Sequence, residues 1–117
     1  MDQQVLIMVG LVAVAAIVVA NTIRRNLRRK QVTEKLESGA KIVDVRTPSE
    51  FGSGHYPGAI NVPLDKLSKR MKKLGSRESS IVVYCASGSR SRVAVSRLRA
   101  AGYSDVINAG AFSNLPR

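Results

Sequence analysis

One stretch of this sequence places a nucleophile, a turn of small residues and a fixed positive charge in immediate succession: Cys85-Ala86-Ser87-Gly88-Ser89-Arg90. It follows Ile81-Val82-Val83-Tyr84, the strongest strand run in the chain, and leads into a helical pattern beginning near Ser89. Small residues with Gly88 let successive backbone N–H groups converge on one point, forming an anion-binding nest. The first turn of the following helix adds unpaired N–H groups and the positive end of its dipole. Both effects favour thiolate over thiol, so Cys85 is expected to titrate below the ordinary value of about 8.5. Arg90 adds a permanent charge and hydrogen bonds for an oxyanion. A cysteine so placed is an activated nucleophile that needs no neighbouring histidine base. The plainer reading makes Cys85 the last core residue of a buried strand. Gly88, two serines and an arginine in sequence are more than such a role requires.

The elements that position this loop are legible from periodicity. Val32 to Ser38 reads as a short helix stopped by Gly39, and Ile42-Val43-Asp44-Val45 as a buried strand. Thr47-Pro48-Ser49-Glu50 has the form of a capped helix start. Residues 52–58 form a loop by composition, and Ala59-Ile60-Asn61-Val62 is a short strand ended by Pro63. Leu64, Leu67, Met71 and Leu74 recur at helical spacing, with Gly75 as the stop. From Ser89 to Ala101 a second helix turns Val93, Ala94, Leu98 and Ala101 inward. Val106-Ile107 is a last short strand, and residues 108–117 read as loop with at most one helical turn. Strands alternating with helices predict an α/β layer on a mostly parallel sheet, with the site beyond the carboxyl ends of the strands.

The first part of the chain is of another kind. Val5 to Ala20 is apolar throughout apart from Gly10, and the tolerable stretch runs on to Ile23. As a helix, residues 5–23 span about 28 Å, close to a bilayer's hydrocarbon thickness. A cleaved signal peptide would carry positive charge before the apolar run. Here Lys and Arg are absent from Met1-Asp2-Gln3-Gln4, and the basic cluster Arg24 to Lys30 comes afterwards. The positive-inside rule then places the rest of the chain in the cytoplasm. The expected organisation is a short tail at 1–4, a transmembrane helix at 5–23, a basic juxtamembrane linker at 24–31 and one globular domain at 32–117. The cluster is read first as a topology signal, with added attraction to anionic headgroups. Ala16 and Ala20 form a small-xxx-small pair, a hint of helix association.

The 117 residues carry 19 Lys+Arg against 8 Asp+Glu, a balance that favours anionic partners. Nucleic acid is not expected as one of them, since 3 Tyr and 2 Phe leave no aromatic-basic interleaving. A single cysteine excludes an internal disulfide. Neither a metal nor a cofactor is expected.

Three motifs in order carry a specific resemblance: Asp44-Val45-Arg46 with Glu50-Phe51; Gly54-His55-Tyr56-Pro57-Gly58-Ala59-Ile60-Asn61-Val62-Pro63; and Cys85-x-x-Gly88-x-Arg90. Over residues 32–112 the chain resembles the rhodanese (sulfurtransferase) family, in its small single-domain type. The resemblance implies a five-stranded parallel sheet flanked by helices. It implies Cys85 as nucleophile and persulfide carrier, and a cradle from the backbone N–H groups of Ala86, Ser87, Gly88, Ser89 and Arg90. Arg90 would bind the incoming sulfonate. Sulfane sulfur from thiosulfate or another persulfide donor would pass through Cys85 to a thiol or cyanide. Asp44 and Arg46 match the family's Asp-x-Arg signature and are read as a supporting strand-end network, with Arg46 a candidate partner for Glu50. His55, the single histidine, is read as ordering its loop.

Two departures stand out. Many active rhodaneses carry arginine directly after the cysteine, where this chain has Ala86, and the Gly-Gly of the final strand reads Gly110-Ala111. The first shifts preference among donors and keeps a low-turnover sulfur carrier or partner-binding module in view as an alternative. Cysteine-loop phosphatases are a further rival, but they resemble Cys-x5-Arg, and here the corresponding position is Ser91. Arsenate reduction on a rhodanese-like fold would also need a reducing partner.

Overall fold

The computed structural model describes residues 2–117. Helix α1 runs unbroken from Gln3–Glu37, with Asp2 accepting from the N–H of Gln4 at its start. Residues 24–31, expected as a linker, are therefore helical. They contain neither glycine nor proline, and Arg, Leu, Lys and Gln are all good helix formers, so nothing stops the helix before Gly39. The first half of α1 stands clear of the rest and makes the molecule 61 Å long but 29 Å across. A window of 18 residues in it has a mean hydropathy of 2.6 and is wholly unburied, long and apolar enough to cross a membrane.

The last turns of α1 belong to the globular part. Val32 is 1 % exposed, and Leu36 packs beside it. Lys35 Nζ meets Asp105 Oδ1 at 2.7 Å, and Arg29 Nε donates to the Asn114 carbonyl at 3.2 Å. These contacts fix the helix against the sheet.

Four parallel strands form that sheet: β1 (Lys41–Asp44), β2 (Ile60–Asn61), β3 (Ser80–Cys85) and β4 (Asp105–Ala111), in the order β2-β1-β3-β4. Among the described residues, the fifth strand implied by the family resemblance does not form. The residue patterns themselves contain only four strand runs, and the remaining apolar spacing is helical.

Side chains alternate across β3. Ile81, Val83 and Cys85 face a core shared with Val43, Val45, Leu67, Leu74 and Leu98. Val82 and Tyr84 face the opposite core, closed by α1. The alternation sends Cys85 to the same side as helix α4 (Ser89–Ala100).

Three expectations are corrected in the connecting elements. Residues 64–74 are not one helix: α3 (Leu67–Arg70) is flanked by 3-10 turns at Leu64–Lys66 and Met71–Leu74. In α4 the buried stripe is Ser91, Ala94, Val95 and Leu98, while Val93 is 40 % exposed. A stripe at i, i+3, i+4 and i+7 leaves Val93 on the outer face. Finally, β4 extends well beyond Val106-Ile107, through a stretch expected as loop, before a 3-10 turn at Phe112–Asn114. Pairing with the long β3 extends it, although Asn, Ala and Gly have little strand preference of their own.

Candidate active site

Cys85 ends β3, and the chain then turns through Ala86 and Ser87 into Gly88, which precedes α4. Gly88 is left-handed at φ 99° and is the residue capping α4, yet no side-chain oxygen caps that helix. The cysteine sulfur stands in for one. Gly88 N–H points at Cys85 Sγ at 2.9 Å, and Ser91 N–H at 3.4 Å. An acceptor that collects the first N–H groups of a helix is held as an N-cap oxygen would be.

Ser91 Oγ also lies 3.4 Å from Sγ. Its hydroxyl is 3.0 Å from the Gly88 carbonyl and 2.7 Å from Asn108 Oδ1, and the Asn108 oxygen in turn accepts from Gly110 N–H at 2.8 Å. Burial pushes the Cys85 thiol up, but hydrogen bonds from the Ser91 hydroxyl and from the N–H groups of Ser91, Gly88 and Ser87 outweigh it. The net direction is below the ordinary thiol value. Sγ is closed over: Cys85 is fully buried, while Ala86, Ser87 and Ser89 around it are exposed.

Neither Ser91 nor Asn108 was singled out by sequence. Ser91 enters the sequence reading only as the residue where a cysteine-loop phosphatase would carry arginine, and Asn108 as loop. Asn108 pairs with Val83, and the register shift that follows bulges β4 at Ala109, so that Tyr84 pairs with Gly110. Gly88 is suited to its place for a second reason: a Cβ on it would meet Gly110 Cα at 3.3 Å, so loop and strand approach backbone to backbone.

Arg90 is committed to a partner that sequence assigned elsewhere. Its two terminal nitrogens bind Glu50 Oε1 and Oε2 at 2.7 and 3.0 Å. With the Thr47 N–H and hydroxyl also on Oε1, Glu50 is held at about 2 by Arg90 first and Thr47 second. The suggested pairing of Arg46 with Glu50 does not occur. Arg46 instead forks onto Asp44, with Nη2 to Oδ2 at 2.7 Å and Nε within 3.1 Å of both oxygens. The turn after β1 decides this, since Asp44 Oδ1 also accepts the backbone N–H of Arg46 at 2.8 Å and holds the two residues together.

Arg46 also donates to the Gly54 carbonyl at 2.7 Å and lies 4.8 Å from the Phe112 ring. Tyr84 is pushed up to about 12, chiefly by burial, and its phenol oxygen accepts Tyr56 N–H at 3.0 Å. His55 stacks on Phe51 with ring centres 3.8 Å apart, and its Nδ1 bonds the Phe51 carbonyl at 3.0 Å. That is the loop-ordering contact expected of it.

Among the described residues, no group of His, Cys, Asp or Glu is arranged to hold a metal ion. The arrangement supplies a sulfur whose thiolate form is favoured by hydrogen bonds from backbone N–H groups.

A family model described as a rhodanese-like domain matches residues 28–113. A sulfurtransferase of Allochromatium vinosum is 37 % identical over 67 residues, which are 57 % of this chain and 62 % of that protein. The chain thus spans less than two-thirds of that relative's length. A thiosulfate sulfurtransferase of Escherichia coli is 34 % identical over 74 residues, 62 % of this chain and 71 % of that protein. Among solved structures, a rhodanese with anions from E. coli superposes with a TM-score of 0.63 at 32 % identity, covering 67 % of this chain and 95 % of that one.

Proposed function

We propose that this chain, which belongs to the rhodanese family, is a membrane-anchored sulfurtransferase that carries sulfane sulfur as a persulfide on Cys85. Family membership is shown by the match over residues 28–113. The observation that carries the activity is the sulfur itself, at the end of a central strand with Gly88 and Ser91 N–H groups aimed at it.

The cycle has two half-reactions. Cys85 thiolate attacks the outer sulfur of thiosulfate; a new S–S bond forms, the old one breaks, and sulfite leaves with the electron pair. A thiolate or cyanide then attacks the terminal sulfur of the persulfide, releasing a persulfide or thiocyanate and restoring the Cys85 thiolate. Backbone N–H groups from Ala86 to Arg90 stabilise the bound sulfur in both states. Arg90 gives two N–H groups to Glu50 and keeps the others for the sulfonate. Because Sγ is closed over, the donor reaches it as the exposed residues Ala86 and Ser87 shift. Asp44 and Arg46 support the strand ends and take no part in the chemistry.

Residues 5–23 are the membrane span, 24–31 the juxtamembrane segment and 32–117 the catalytic domain, held on the cytoplasmic side by the basic cluster after the span. No nucleic acid is involved. The lack of charge at Ala86 and the pairing of Arg90 favour, as a second reading, a slow sulfur carrier that hands its persulfide to a partner protein.

The test is direct. The full chain in detergent is incubated with thiosulfate and weighed by intact mass spectrometry. A gain of one sulfur, removed by cyanide and absent in Cys85→Ser, is expected; no adduct, or one that persists in the variant, ends the reading. Slow turnover with a stable adduct would select the carrier reading. For topology, protease added to intact cells should leave residues 24–117 uncut, and cleavage there would place the domain outside.

A further inference from the structure

Beyond Ile23 the long helix carries Arg24, Arg25, Arg28 and Arg29. The pairs 24/28 and 25/29 are four residues apart, so the four arginines stack on one side over successive turns. That side faces the globular part. With Leu115 and Pro116 of the C-terminal segment, the arginines line a cavity of about 350 Å³. Its walls are fixed relative to each other, by buried Val32, by Arg29 on the Asn114 carbonyl and by Lys35 on Asp105.

Among the described residues, no acidic side chain lines the cavity and none pairs with Arg24, Arg25 or Arg28. Like charges one turn apart repel, and the repulsion is relieved by an anion between them. Depth supplies the source. At about 1.5 Å per residue, Arg24 to Arg29 lie roughly 2–9 Å past the end of the apolar run. That is the headgroup layer when the run fills the hydrocarbon, which is about 30 Å of a total near 40–45 Å.

We infer that this cavity is a binding site for the phosphate of an anionic phospholipid, drawn from the bilayer that holds α1. The inference rests on reading residues 5–23 as a span. Arg28 also lines a neighbouring cavity of about 310 Å³ with Ser87, Gly88 and Ser89. A bound headgroup therefore sits one side chain from the catalytic loop and sets its height above the membrane.

The test uses the full chain in a neutral detergent, with short-chain phosphatidylglycerol, short-chain phosphatidylcholine and inorganic phosphate as probes. Native mass spectrometry reads retention, and thermal unfolding reads stabilisation. Phosphatidylglycerol should be retained and raise the unfolding midpoint, while phosphatidylcholine does neither. The double variant Arg24→Gln/Arg28→Gln should weaken retention about tenfold, and Lys69→Gln/Lys72→Gln, which removes equal charge elsewhere, should leave it unchanged. If the double variant is itself less stable without lipid, Arg25→Gln repeats the measurement.

Equal retention of phosphatidylcholine, or equal loss in the lysine variant, overturns the site. Displacement of the lipid by inorganic phosphate at equal concentration would make it a site for a free anion and overturn the lipid assignment. Insertion is read separately, by resistance of the full chain to carbonate extraction from phosphatidylcholine vesicles. Insertion without lipid selection refutes the headgroup site alone; failure to insert refutes the span beneath it.

Discussion

At the carboxyl end of β1 a charge is enclosed by side chains; at the end of β3, one strand away, a sulfur is enclosed by backbone. Asp44 and Arg46 satisfy each other, and the guanidinium goes on to the Gly54 carbonyl and the Phe112 ring. The Nε and Nη2 donors of Arg46 both have internal partners, so most of the guanidinium is tied into the fold. Around Cys85 the donors are main-chain N–H groups of a helix start, which cannot turn away and which no side-chain oxygen satisfies. They stay available for whatever replaces the lone sulfur, including a persulfide. Adjacent strand ends thus diverge in role through the kind of donor each uses.

The sharpest way to break the comparison is to interchange its outcomes. Cys85→Ser should abolish sulfur loading while leaving the unfolding transition close to the parent's. Asp44→Ala should do the reverse. It strands the buried Arg46 charge and should cost about 3–5 kcal/mol in denaturant unfolding. The molecules that remain folded should still load sulfur. If Asp44→Ala instead removed loading at full stability, the ion pair would belong to the chemistry.

Gly88→Ala should touch both properties. It forces a side chain into a φ of 99° and within 3.3 Å of Gly110 Cα. A loss of about 1–2 kcal/mol is expected from the backbone conformation, with slower loading as the N–H aimed at Sγ is displaced. Ser91→Ala is subtler. The Ser91 hydroxyl lowers the Cys85 thiol, so its removal lets burial push the thiol back up. The rate of alkylation by a small reagent, followed against pH, should rise at higher pH than in the parent, with the high-pH plateau unchanged.

The smallest effect is expected at Glu50→Gln, which leaves Arg90 without its counter-charge. KM for thiosulfate should fall by about two- to fivefold, the size of one exposed charge interaction. The parent pair itself should be insensitive to mild acid. Glu50 drops from an ordinary 4.5 to about 2 in the folded chain. Its contribution is therefore full above about 4.5 and is lost only as pH falls through about 2. A titration of the pair near pH 4–5, seen by NMR of the Glu50 carboxyl, would contradict this.

Much of the site was legible before folding was considered. Local sequence identified Cys85, the turn at Gly88 and the helix at Ser89, because a strand end, a glycine turn and a helix start are consecutive in the chain. Partners separated by long stretches were not legible. Glu50 and Arg90 are 40 residues apart, and the choice between Arg46 and Arg90 as the partner of Glu50 depends on where α2 (Pro48–Gly52) lands against α4. Asn108 lies 17 residues from Ser91, and the pairing of β4 with β3, which sets Asn108 opposite Val83, brings it there. The family pattern pointed to five strands, while the residue patterns contained four, and hydrogen bonding followed the residues.

By itself the sequence pointed to the Cys85 loop, the α/β layering and an apolar segment long enough to span a bilayer, since each depends on neighbours along the chain. Only the tertiary structure decided that the cysteine sulfur replaces the missing helix cap and that Ser91, itself bonded to Asn108, lies against it. It also decided that the basic turns of α1 line a cavity against the C-terminal segment. Those outcomes depend on which surfaces meet when the two cores close, a property of packing in three dimensions that one-dimensional spacing does not contain.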